Sequence, residues 1–214
     1  MTALLAKLLL AYLLGSVVGS LLLGRLRGVD IRRAGSGNAG ATNALRTQGR
    51  GFALAVAAID VGKGVAAALV VARLPWFGAD LLAPAATGLA CGLAAAVGHC
   101  YPLWHGLRGG KGAGTAFGTV LALFPGLALV MLLAWLLVLT ATGYVGLATV
   151  TAAVSFPVAL AFTGWRAVPG VFALALAAAA LLVWTHRGNL ARLRAGKELR
   201  FERARILPRL LGRR

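Results

Sequence analysis

The sequence predicts an all-α polytopic integral membrane protein, and three observations carry that prediction. Hydrophobic residues make up 60% of the 214-residue chain and charged residues only 13%, whereas a soluble domain holds about 45–50% apolar and about 25% charged residues. Apolar runs recur at 4–24, 52–72, 81–98, 116–141, 144–163 and 167–185. Most are near the ~20 residues that cross about 30 Å of hydrocarbon. The basic residues are grouped: six of 22 lie between Arg25 and Arg50, and ten between Arg187 and Arg214. Such clusters flank spans on the cytoplasmic side and favour anionic headgroups. The net charge of +17 comes without the aromatic interleaving of a single-strand binder, so no nucleic acid is expected as a partner.

The first run, 4–24, has only Lys7 ahead of it and no small-residue cleavage site behind it, which predicts a retained span rather than a signal peptide. It delivers the basic 25–50 loop to the cytoplasm and leaves the N-terminus outside. The second run carries Asp60 and Lys63. Spaced i, i+3, they share a helix face and can neutralise each other. Two readings stand for them, a structural ion pair or a role near the site. Residues 73–80, marked by Pro75 and Gly78, form a short outer turn. The third run brings Cys91 and Cys100, whose spacing suits small buried hydrophobes better than a zinc site.

Parity decides the fourth run. Six spans would leave the tail on the opposite side from the other basic clusters. Pro125-Gly126 ends one helix and opens another, giving short spans at 112–124 and 126–141 and seven in all. The C-terminus is then cytoplasmic. Eighteen of 22 basic residues fall inside, Lys7, Arg73 and Arg166 outside, and Lys63 within the membrane. The chain reads as a single membrane-embedded domain, 1–214, with a basic tail at 186–214. It shows no internal repeat.

Three polar clusters interrupt the apolar background. GSGNAGATNALR, residues 35–46, holds three glycines, Ser36, Asn38, Thr42, Asn43 and Arg46 without a carboxylate. Glycines let backbone N–H groups converge on an anion, and the arginine adds a bidentate charge. A phosphate is the simplest ligand. Residues 35–40 also spell G-x-G-x-x-G, but no strand precedes them and Asp60 sits in an apolar block, so a dinucleotide fold is rejected. In GHCYPLWHGLRGGKGAGT, residues 98–115, Gly109, Gly110 and Gly112 surround Lys111. The spacing from Gly106 is one residue short of a Walker A loop, and Gly112 replaces the magnesium-binding hydroxyl. His99 and His105 read as interfacial hydrogen-bonding residues rather than metal ligands. The third cluster, HRGNLARLRAGKELR, residues 186–200, opens on His186, Arg187 and Asn189. Leu190, Leu193 and Leu199 among its basic residues predict a helix lying along the membrane surface.

Together these motifs resemble the bacterial membrane acyl-phosphate:glycerol-3-phosphate acyltransferases, the PlsY family, over nearly the whole chain, with D-V-G-K-G at 60–64 fitting as well. Gly114 and Leu190 depart from the usual alanine and isoleucine without removing a polar group. The resemblance implies a seven-span bundle in the bacterial inner (plasma) membrane with its N-terminus outside and its active site on the cytoplasmic face. It implies transfer of a fatty acyl group from acyl phosphate to the sn-1 hydroxyl of glycerol 3-phosphate, giving lysophosphatidic acid and phosphate. It also implies Ser36, Arg46, Lys111, His186 and Asn189 as the polar site residues. Arg46 and Lys111 would clamp phosphate. Gly37, Asn38, Thr42, Asn43, Gly109, Gly110 and Gly112 are the accompanying phosphate-binding positions, with partners limited to glycerol 3-phosphate, acyl phosphate and membrane lipids.

The acids agree. Asp30, Asp60, Asp80, Glu198 and Glu202 are the only five, and none lies inside the two glycine-rich motifs. No clustered carboxylates offer a two-metal site, so neither metal nor cofactor is expected. The H-x-x-x-x-D pattern of other glycerolipid acyltransferases is missing too, since five residues past the histidines stand Trp104, Gly110 and Ala191. Either His186 or a substrate phosphate oxygen can take the hydroxyl proton. An organic-phosphate transporter would want midplane donors in matched halves, and a purely structural lipid-binding protein leaves Lys111 among its glycines without a purpose.

Overall fold

The computed structural model describes residues 2–75 and 81–210, and the elements of regular secondary structure among them are all helices. Helices α1 (Thr2–Gly15) and α2 (Gly19–Leu26) form one bent unit, followed by α3 (Ala41–Gln48), α4 (Arg50–Leu69) and α5 (Pro84–Cys100). Then come α6 (Ala113–Leu123), α7 (Pro125–Thr142), α8 (Val145–Leu160), α9 (Val171–Thr185) and α10 (Arg187–Arg194). Three helices, α4, α5 and α7, are each long and apolar enough to cross a bilayer; α1–α2 and α9–α10 pass the same test as pairs bent by 43° and 53°. Helices α6 and α8 are shorter apolar helices. Of the outer turn expected at 73–80, residues 76–80 lie outside the described residues.

The break expected at Pro125-Gly126 falls there. Phe124 leaves the helical region (φ −139°, ψ 67°), and Pro125 starts α7 at a position where its missing N–H costs nothing. A second break was not legible. The run at 4–24 bends between Gly15 and Gly19, and buried side chains of α4 take up the backbone groups freed there. Lys63 Nζ donates to the carbonyls of Gly15 (3.0 Å) and Val17 (2.9 Å), while Asp60 Oδ1 accepts from the Gly19 N–H (3.1 Å). Asp60 and Lys63 also pair with each other at 3.0 Å.

Helix α5 is the axis: 72% of its apolar stretch is buried, against 17% for α7. It packs on α1, α4, α6 and α9. Small residues make this possible, as expected where lipid supplies no hydrophobic drive and helices associate through close backbone contact. A Cβ added at Gly15 would stand 2.0 Å from Ala95 O, and one at Gly98 2.1 Å from Tyr12 O. Between α5, α6, α7, α8 and α9 the apolar core gathers Leu89, Phe124, Met131, Phe156 and Leu160. Leu129, Leu133 and Leu137 of α7 remain exposed and face outward, as lipid contact requires.

Candidate active site

The polar segments between helices converge on one cavity of about 310 Å³. Its lining is of two kinds. Ser36, Asn38, Thr42, Arg46, Lys111, His186 and Asn189 supply much of the polar part, with Asp60, His99, Arg192 and Glu198 among the rest; Phe117, Met131, Leu132, Trp135, Ala152 and Leu182 supply much of the apolar part. All five polar site residues implied by the resemblance line this space, although they come from segments up to 153 positions apart (Ser36 to Asn189).

Each segment is held by contacts traceable to its residue types. In the first motif Gly35 adopts φ +61°, and a Cβ there would stand 2.3 Å from Asn43 Oδ1. The buried Asn43 amide ties the loop together: its Oδ1 accepts from Ser36 N (2.9 Å), and its Nδ2 donates to Ile31 O (2.9 Å) and Ala34 O (3.1 Å). Asn43 lines the cavity, but in this structure its amide is fully engaged by the loop. Arg46 sits in the last turn of α3, with no hydrogen bond to any described residue.

In the second motif Gly112 (φ +81°) stands at the start of α6 and turns the chain in a left-handed conformation that L side chains resist. The N–H groups of Gly109 and Gly110 donate to Cys100 O (3.1 Å) and His99 O (3.0 Å). Those two donors brace the turn and do not point to the cavity, and Gly37, Gly109, Gly110 and Gly112 are not among its lining residues. What reaches the cavity is the Lys111 side chain. The Lys111 carbonyl accepts from Thr185 Oγ1 (3.0 Å), fixing the turn to the end of α9.

In the third motif, Lys111 Nζ donates to Asn189 Oδ1, Asn189 Nδ2 donates to Glu198 Oε1, and Arg192 Nε donates to Glu198 Oε2 at 2.7 Å. Gly146 of α8 makes room for Asn189, since a Cβ there would stand 2.7 Å from Asn189 Cβ. Glu198 is the residue that pattern reasoning missed. Its signal was available, as one of only five acids and the one inside the three polar clusters. Helix α10 stops at Arg194, and Gly196 (φ +66°) folds the chain back, bringing Glu198 and Leu199 onto the cavity. The expected surface helix therefore covers 187–194 and leaves Leu199 outside it.

The electrostatics follow from this packing. Burial, then the charge of Arg192, lowers the Lys111 ammonium to about 8, against the opposing pull of Glu198. Burial, then the neighbouring Lys111, lowers His186 to about 4, so the imidazole is neutral at pH 7. His186 Nδ1 lies 2.8 Å from Leu182 O and must be the protonated nitrogen. The Nε2 lone pair is then left as an acceptor. Among the described residues no group of three His, Cys, Asp or Glu side chains could hold a metal ion. The arrangement suits a molecule with an anionic head and a long apolar tail, and it can collect negative charge through Lys111, Arg46 and the Ser36 hydroxyl.

Comparison with known proteins gives a consistent picture. The glycerol-3-phosphate acyltransferase family model matches residues 5–196. The chain is 45% identical over 208 residues to a glycerol-3-phosphate acyltransferase of Thermus thermophilus, covering 95% of this chain and 98% of that protein. It is 40% identical over 191 residues to that of Aquifex aeolicus, covering 89% and 95%. Crystal structures of PlsY, an integral membrane glycerol 3-phosphate acyltransferase, are similar in fold. The glycerol 3-phosphate form superposes with a TM-score of 0.83 at 38% identity, covering 92% of this chain and 95% of that one. The lysophosphatidic acid form gives 0.82 at 37% identity, covering 95% and 98%.

Proposed function

The chain belongs to the glycerol-3-phosphate acyltransferase family of bacterial integral membrane proteins, and on that premise we propose that it acylates the sn-1 hydroxyl of glycerol 3-phosphate with acyl phosphate as donor. The observation that carries this reading is the two-part lining of the cavity. Two phosphates need cations that the protein has not already neutralised, and a fatty chain needs an apolar wall; Arg46 and Lys111 share one space with Phe117, Met131 and Trp135.

In the proposed step the sn-1 oxygen attacks the acyl carbonyl carbon, the bond from that carbon to the phosphate oxygen breaks, and phosphate leaves. Lys111 neutralises the departing phosphate, Arg46 holds the phosphate of the acceptor, and Ser36, Asn38 and Thr42 supply neutral donors. Preorganised donors of this kind act where charge develops. A neutral His186, lowered to about 4, is a weak base, which favours an oxygen of the leaving phosphate as the proton acceptor and assigns His186 Nε2 to orienting the hydroxyl. Asn189 positions Lys111, and Glu198 positions Asn189.

The whole chain is taken as one membrane-embedded unit of seven crossings, α1–α2, α4, α5, α6, α7, α8 and α9, with the N-terminus outside and the cavity on the cytoplasmic face. What supports this is the meeting of three basic motifs in one cavity, which an even number of crossings would separate. A reporter at the C-terminus should read cytoplasmic and a label at residue 2 should read external; a tail found outside overturns the arrangement. For the reaction, purified protein given synthetic acyl phosphate and glycerol 3-phosphate should release lysophosphatidic acid and phosphate in equal amounts. Phosphate release without acylated glycerol 3-phosphate would contradict the assignment.

A further inference from the structure

Outside the proposed clamp lies a second charged group, buried deeper. Asp60, Lys63 and His99 are 4%, 5% and 3% exposed. His99 Nδ1 lies 2.8 Å from Lys63 Nζ and 3.3 Å from Asp60 Oδ1. The ring passes directly under the second motif: a Cβ added at Gly110 would stand 2.1 Å from His99 Nε2. The His99 carbonyl also accepts the Gly110 N–H at 3.0 Å. His99 and Asp60 both line the cavity.

The ring nitrogen Nδ1 has two neighbours that could bond it, Lys63 Nζ at 2.8 Å and Asp60 Oδ1 at 3.3 Å. An ammonium carries three N–H groups and accepts nothing. Lys63 Nζ has four acceptors in reach, Val17 O (2.9 Å), Gly15 O (3.0 Å), Asp60 Oδ1 (3.0 Å) and His99 Nδ1, the last being the nearest at 2.8 Å. A hydrogen on Nδ1 would oppose a donor to a donor across the shorter contact and leave only the longer one, to Asp60 Oδ1. The shorter contact is therefore read as a Lys63 N–H donating to the Nδ1 lone pair, which leaves the ring hydrogen on Nε2. The charged or titratable groups facing the ring are Asp60 and Lys63, from α4.

We infer that Lys63, itself held by Asp60 and the α1–α2 break, locks His99 as the neutral Nε2–H tautomer, making His99 a positioning residue that sets the height of the Gly109–Lys111 turn over the cavity. The role of the turn rests on the acyltransferase reading; the tautomer does not. The triad thereby links three segments, the break in the first span, α4 and the lysine-bearing turn, and explains why a wholly apolar helix face would not serve at 60–63.

The chain has three histidines, so 15N-histidine labelling of the full-length protein in nanodiscs gives a resolvable spectrum. His99→Gln identifies the His99 signal, which should show the Nε2–H pattern. In the charge-neutral double variant Asp60→Asn/Lys63→Met the same signal should show mixed tautomers. His99→Ala should lower kcat/KM about tenfold, the scale of one buried hydrogen bond, with Tm close to that of the parent. His99→Gln, which keeps an N–H near the Nε2 position, should recover most of the loss. An Nδ1–H His99 in the parent protein overturns the inference even if the enzyme is active. Equal activity of the Ala and Gln variants overturns the positioning role.

Discussion

Two lysines serve the second glycine-rich turn, Lys111 from within it and Lys63 from beneath it through His99, yet their surroundings are opposite. Lys63 is saturated: two backbone carbonyls, a carboxylate and a ring nitrogen surround its ammonium. Lys111 has one acceptor among the described residues, Asn189 Oδ1, and stands beside Arg46 and Arg192. The first lysine completes the fold, since its partners include the backbone groups released by a helix break. The second carries charge that protein has not neutralised, which is the condition for holding an anion. Burial alone does not separate the two roles; the number of committed donors does.

The largest effect should come from breaking the unsaturated side. Lys111→Ala and Arg46→Ala should each lower turnover at least about a hundredfold, the scale of losing a preorganised charge donor, while membrane abundance stays near normal. Near-normal turnover in either would remove that residue from the clamp. Next in size is pH dependence. With its ammonium lowered to about 8, Lys111 is cationic below that value and loses its charge as pH rises through it, so kcat/KM should fall about tenfold per unit above that point. Lys111→Arg, which keeps its charge, should flatten the decline. A decline of equal slope in that variant would assign it elsewhere.

The saturated side should respond in a different currency. Lys63→Ala leaves the buried Asp60 carboxylate without its counter-charge and the Gly15 and Val17 carbonyls without their donor, which costs about 3–5 kcal/mol. The yield of folded protein should drop sharply, and activity per folded molecule should fall by less than about tenfold. A variant that folds normally but is as inactive as Lys111→Ala would erase the contrast between the two lysines.

How far this was legible in the sequence follows the same division. The cavity's polar residues announced themselves because glycine, asparagine and basic residues are conspicuous in an apolar chain, and the α6–α7 break because Pro125 carries its own mechanism. The bend between Gly15 and Gly19 did not, because it depends on side chains 41 to 48 positions away. His99 looked interfacial and proved buried, since its partners come from α4. Gly109 and Gly110 looked like anion donors, but their N–H groups turned inward to the end of α5. Composition identifies donors; it does not say which of them the fold has already engaged.

The central claim is that the cavity is built for a donor whose leaving group is itself phosphate. The direct measurement is the initial rate of glycerol 3-phosphate acylation by purified protein with acyl phosphate, acyl-coenzyme A and acyl carrier protein at matched chain length, each with and without chelator. Acyl phosphate should be used at full rate in chelator, and the thioesters at a small fraction of it. Comparable rates with a thioester, or activity abolished by chelation and restored by magnesium, would contradict the account.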